Sequence, residues 1–170
     1  MIKMFEIRTK GKASLDNLRA TDSNVSEALN TIYTNDYDFM IFINWNGFKI
    51  PMDGVSFSQI YNDVIIMLEE LEEEYDFSVN FLDTGLTAVW SFTTEGDFLK
   101  VKAKWVDIAS YGYENTTLEE LEKVSNIVII NKSKFMNEWN SLLRIVKADL
   151  LKAGYKNTLE GFEYLETLSN

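Results

Sequence analysis

Apolar and polar residues alternate with period two in several short stretches of this chain and recur at spacings of three and four in others. The two periods predict different elements. Residues 2–9 alternate and predict a strand. Asn24 followed by Glu27 forms a capping box, and Val25, Ala28, Leu29 and Ile32 supply the stripe of a short helix. Asp38–Trp45 is apolar on both faces, as a covered central strand is. Asn46-Gly47 then supplies the positive-φ pair of a type I′ turn, and Phe48–Met52 returns as the partner strand. Ser56 with Gln59 predicts a second capping box. Phe57, Ile60, Tyr61, Val64, Leu68, Leu71 and Tyr75 mark one face of the helix that follows, roughly 18 residues and about 27 Å long.

Three strands come next. Phe77–Leu82 leads through Asp83-Thr84-Gly85 into Leu86–Thr93, and Glu95-Gly96-Asp97 leads into a strand with Leu99, Val101, Ala103 and Trp105 inward and Lys100, Lys102 and Lys104 outward. Short turns between alternating strands predict an antiparallel meander with one wet face. Thr117 with Glu120 caps a short helix, and Asn126–Asn131 is an apolar, β-branched run that reads as a strand. A long helix is predicted over about 134–153, with Gly154 at its C-terminus and Lys147 and Lys152 placed to suit the negative end of its dipole. A last short helix is predicted near Leu159–Leu168. Helices interrupt the strands without regular βαβ alternation, so the expected class is α+β: a single domain over 1–170 whose antiparallel sheet, a hairpin plus a meander, packs against two main helices.

Charge changes this picture. Between Lys49 and Lys100 there is no basic residue, whereas Ile50–Leu99 carries eleven acids, and outside that stretch acids and bases balance at 16 each. The whole excess of −11 therefore sits in under a third of the chain, with Glu69, Glu70, Glu72, Glu73 and Glu74 crowded at one helix end. Like charges at i,i+4 near a helix C-terminus cost a few tenths of a kcal/mol each, whereas each large side chain buried by the same helix contributes about 1.5–3 kcal/mol. The fold thus tolerates the cluster, and a solvated helix end accounts for it without any function. Its concentration also suits an acidic docking surface made of these five glutamates and Asp76, with Asp53 and Asp83 at its border.

The chain has no histidine and no cysteine. That removes the commonest general base, the thiolate and imidazole metal sites, and the Ser-His-Asp and Cys-His constellations. A binding protein without a cofactor is therefore expected rather than an enzyme. The rival enzymatic reading is a magnesium-dependent hydrolase with Glu69 and Glu72 facing Glu119 and Glu122. A structural or assembly subunit, its acidic third merely solvated, is the other rival. The lysine stripe on a wet strand discourages strand addition. Without interleaved arginines it does not suggest nucleic-acid binding. Phosphates would be repelled from the acidic third, so neither nucleic acid nor an anionic membrane is expected as partner. The N-terminus lacks the apolar core of a signal peptide, and no apolar run is long enough to span a bilayer, so a cytoplasmic location is expected.

The layout resembles the immunity proteins encoded beside bacterial contact-dependent and other polymorphic toxins. The likeness lies in an acidic domain of this size, a hydrophobic Asn-Gly hairpin and an acidic central helix. It extends to an ending in which Lys134-Phe135-Met136-Asn137-Glu138-Trp139 and Leu142-Leu143 run to Gly154. The resemblance implies a protein that binds one cognate toxin and blocks its active site or assembly. An acidic inhibitor does so on a nuclease by imitating phosphate charge.

Overall fold

The computed structural model describes residues 4–34, 37–73 and 75–169. In chain order the elements are β1 (Phe5–Gly11), α1 (Val25–Ile32), β2 (Phe39–Trp45), β3 (Phe48–Asp53), α2 (Gly54–Leu71), β4 (Phe77–Asp83), β5 (Leu86–Glu95) and β6 (Phe98–Ile108). After these come α3 (Leu118–Leu121), β7 (Ile127–Asn131), α4 (Lys132–Ala153) and α5 (Glu163–Glu166). All strand pairs are antiparallel, and the class is α+β as the periodicity predicts. No helix among the described residues is long and apolar enough to cross a membrane.

The single expected sheet is two. β1-β2-β3 form one, and β4-β5-β6-β7 form the other. The reason lies at the end of β3, where Asp53 closes the strand and at once caps α2. Its side chain accepts from Ser56 N–H at 2.8 Å. α2 then packs against both β3 and β4, and among the described residues no strand pairing joins the two sheets. The same cap corrects the box expected at Ser56 and Gln59, because Ser56 lies inside the first turn and Asp53 holds the N-cap. The stripe of α2 is buried as predicted through Leu71, but Tyr75 is half exposed because the helix has already ended.

What joins the sheets is aromatic. Trp45, at the tip of the β2–β3 hairpin, lies 5.1 Å from Trp90 of β5 and 5.0 Å from Trp105 of β6, centroid to centroid. Its indole N–H donates to Ser125 O at 2.9 Å, and the Asn46 amide donates to Ser125 O and Ile127 O. The hairpin turn has Asn46 at φ 49° and Gly47 at φ 90°, the left-handed pair that this turn requires. Trp45 is therefore core, and the hairpin tip clamps the start of β7.

α4 lies across β1, β7 and α1. Phe135, Trp139, Leu142, Leu143, Val146 and Leu150 face inward, and Gly154 ends the helix in the left-handed conformation. Lys147 does not answer the helix dipole from solvent. It is buried, and its ammonium donates to Leu168 O at 2.9 Å, tying the C-terminal segment to α4. Tyr33 donates to Asp149 at 2.9 Å, and burial raises the pKa of both groups.

Candidate partner-binding site

α2 places the acidic cluster. One face of the helix is buried against α1, β3 and β4, which leaves Asn62, Ile66, Glu69, Glu72 and Glu73 toward solvent. A second segment is then brought alongside. Glu160 bonds through its backbone to Ser23 and Val25, and Gly161 O accepts the Tyr61 hydroxyl at 2.8 Å. These bonds hold the residues before α5 against α1 and α2. Glu160 and Glu163 consequently share one open groove of about 890 Å³ with Glu69 and Glu72, with Ile65 and Ile66 forming its apolar wall and Tyr164 on its other side.

Burial holds the Tyr164 phenol above its ordinary pKa, and the nearby Glu72 and Glu69 charges push the same way. Burial likewise raises the Tyr61 phenol, with the Glu163 charge adding to it. Both tyrosines therefore remain neutral hydrogen-bonding groups at neutral pH, and Tyr164 donates to Asn140 at 2.9 Å. Among the described residues no ion pair or side-chain hydrogen bond engages Glu69, Glu72, Glu73, Asp76, Glu160 or Glu163 as acceptor through its carboxylate. The cation near this groove is Arg144, whose Nε donates to Ser169 O at 3.0 Å. Lys100, Lys102 and Lys104 are exposed on β6, and Lys102 and Lys104 line a different groove with Glu122.

The predicted site residues do not stay together. Glu69, Glu72, Glu73 and Asp76 are exposed at one end of α2, and Glu74 lies outside the described residues. Asp53 and Asp83 do not border this surface. Asp53 caps the N-terminus of α2, about 27 Å from its acidic end. Asp83 caps its own hairpin turn by accepting from Gly85 N–H at 2.7 Å. Both lie beside Tyr111, whose hydroxyl pairs with Ser56 Oγ at 2.7 Å. Those two acids are turn and cap residues.

Glu70 differs from its neighbours: it is half buried, and its Oε2 is occluded with no hydrogen-bond partner among the described residues. A carboxylate oxygen in that position costs stability, and an apolar replacement removes the cost. Glu70→Leu is therefore expected to raise stability by about 1 kcal/mol, read as a higher urea midpoint. Glu69→Leu should not do so, since Glu69 is exposed.

The two E-x-x-E pairs are not brought together. Glu69 and Glu72 line the groove beside α5, whereas Glu122 lines the one beside β6. No group of three or more acids among the described residues is placed to hold a metal ion. The acids that Glu69 and Glu72 do meet, Glu160 and Glu163, lie far along the chain in a segment with no charge run to mark it. Set beside protein-family models, curated proteins and solved structures, the chain matches none of them.

Proposed function

We propose that this protein is an acidic binder that neutralises a basic protein partner, and that the partner is a bacterial toxin domain, as the layout resemblance implies. One observation carries the reading. Glu69, Glu72, Glu160 and Glu163, from two distant segments, line one open groove, and among the described residues none of them forms an ion pair. The groove also has the apolar wall of Ile65 and Ile66. A lysine or arginine side chain fits such a site twice over, with its alkyl stem on the isoleucines and its charged head among the carboxylates. The action is binding, with no covalent step and no cofactor.

The experiment is affinity capture at low salt by the wild type and by a variant carrying Glu→Gln at 69, 72, 160 and 163. A basic protein held by the wild type, released at about 0.5 M salt where screening is strong and absent from the variant's eluate, is expected. Co-expression of the captured protein with and without this chain then shows whether its toxicity is relieved. Partners retained equally by both baits would remove the groove from the function.

A further inference from the structure

Two antiparallel sheets have four edges, and three of them are obstructed. On β1 the Glu138 carboxylate takes the Ile7 N–H at 2.7 Å. On β3 Pro51 removes a donor and Lys49 adds a charge. On β7 the Asn46 amide occupies Ile127 O. Proteins close sheet edges by such means to prevent pairing between copies.

The fourth edge, β4, has none of them. From Phe77 to Leu82 it carries no charge and no proline. Its two-residue connection to β5 makes Asp83 and Leu86 a hydrogen-bonded pair, so Phe81, Val79 and Phe77 also bond to β5. Ser78, Asn80 and Leu82 therefore direct their backbone N–H and C=O groups away from the sheet. No backbone bond from another part of the described chain reaches them, and all three are exposed, Leu82 to 75%.

We propose that β4 is a homodimerisation edge, pairing antiparallel with β4 of a second copy about a two-fold axis at Asn80. The strand matches itself in that register. Asn80 opposes Asn80, Ser78 opposes Leu82 and Val79 opposes Phe81, and no like charges face each other. The three outward residues of each copy satisfy one another, and the two four-stranded sheets become one continuous sheet of eight. The net charge of −11 on each copy opposes association. The register sets Asp76 of each copy opposite position 84 of the other, one residue from that copy's Asp83 and on the opposite face of the sheet, a repulsion that salt screens. The two copies' Asp76 residues lie about 27 Å from each other along the paired strands, well beyond the screening length of about 8 Å at physiological salt. Glu69, Glu72 and Glu73 precede Asp76 at the end of α2, so pairing leaves the acidic groove unused. This inference stands independently of the proposed function.

The test is analytical ultracentrifugation of the full chain over a range of concentration and salt, with a crosslinking arm. The wild type is expected to show a reversible monomer–dimer equilibrium that strengthens with salt. Asn80→Lys places like charges opposite each other at the axis and should weaken the dimer by on the order of tenfold or more. Its circular dichroism should be unchanged, since an exposed edge accepts lysine. The chain has no cysteine, so Asn80→Cys provides a unique thiol. Facing α-carbons in a hydrogen-bonded pair lie about 5.5 Å apart, within disulfide range, so this variant should crosslink to dimer under mild oxidation while Ser133→Cys on α4 does not. A wild type monomeric to on the order of 1 mM at high salt would overturn the proposal. So would a dimer insensitive to Asn80→Lys, or Asn80→Cys crosslinking no faster than Ser133→Cys.

Discussion

Trp90→Ala is expected to destabilise the protein by about 3–5 kcal/mol, the usual loss for a fully buried indole. Trp90 has no exposed surface. Its ring meets Phe5, Trp45, Phe81, Trp105 and Trp139 at centroid distances of 4.9–6.2 Å, drawing on both sheets and on α4. Among the described ring pairs no other ring meets so many, and its partners come from five elements, so the cavity left by alanine has no single neighbour able to fill it. Against a total stability of about 5–15 kcal/mol, the variant should have a far lower urea midpoint and expose its remaining tryptophans to solvent. The Trp90 indole N–H has no partner among the described residues, so Trp90→Phe loses volume without losing a hydrogen bond and should retain more than half of the difference. An alanine variant within about 1 kcal/mol of the wild type would mean that the sheets are held together elsewhere.

The second large effect is kinetic. With the four groove glutamates replaced by glutamine, association with the captured basic partner is expected to slow by about 10–100-fold at low salt, because opposite charge steers encounter from a typical 10⁵–10⁶ toward about 10⁸ M⁻¹s⁻¹. The dependence of the rate on ionic strength should flatten in parallel. Stopped-flow mixing at low and high salt reads both. Folding stability should be unchanged or slightly higher, since the exposed carboxylates have no described cation to lose and their mutual repulsion is relieved. Equal association rates for the two proteins would place the interface elsewhere. A marked fall in stability would show that the glutamates are structural.

Local elements were legible because the interactions that make them lie within a few residues. The Asn46-Gly47 hairpin, the stripe of α2, the alternation of β5 and β6 and the glycine stop at Gly154 all appear where the residue pattern puts them. Residues 2 and 3 of the first predicted strand lie outside the described residues, and the helix near Leu159–Leu168 shrinks to the four residues of α5. The cap of α2 was misplaced by three residues because Ser56 and Asp53 are both good caps. Packing of Gly54 against Tyr33 favours the earlier start: a Cβ on Gly54 would come within 2.3 Å of the tyrosine side chain.

The sequence by itself determined the element types, the antiparallel hairpins and the confinement of all excess charge to one stretch, since period, turn chemistry and charge are properties of neighbouring residues. Tertiary structure alone decided which acids meet. It drew Glu160 and Glu163 to Glu69 and Glu72 through backbone bonds between the C-terminal segment and α1, sent Asp53 and Asp83 to the far end of α2, and occluded Glu70. It also decided that there are two sheets and that β4 is the edge left open. Those outcomes depend on contacts between residues far apart in the chain. Nothing local encodes them, because a carboxylate's neighbours across a groove are chosen by how the apolar faces beneath it pack.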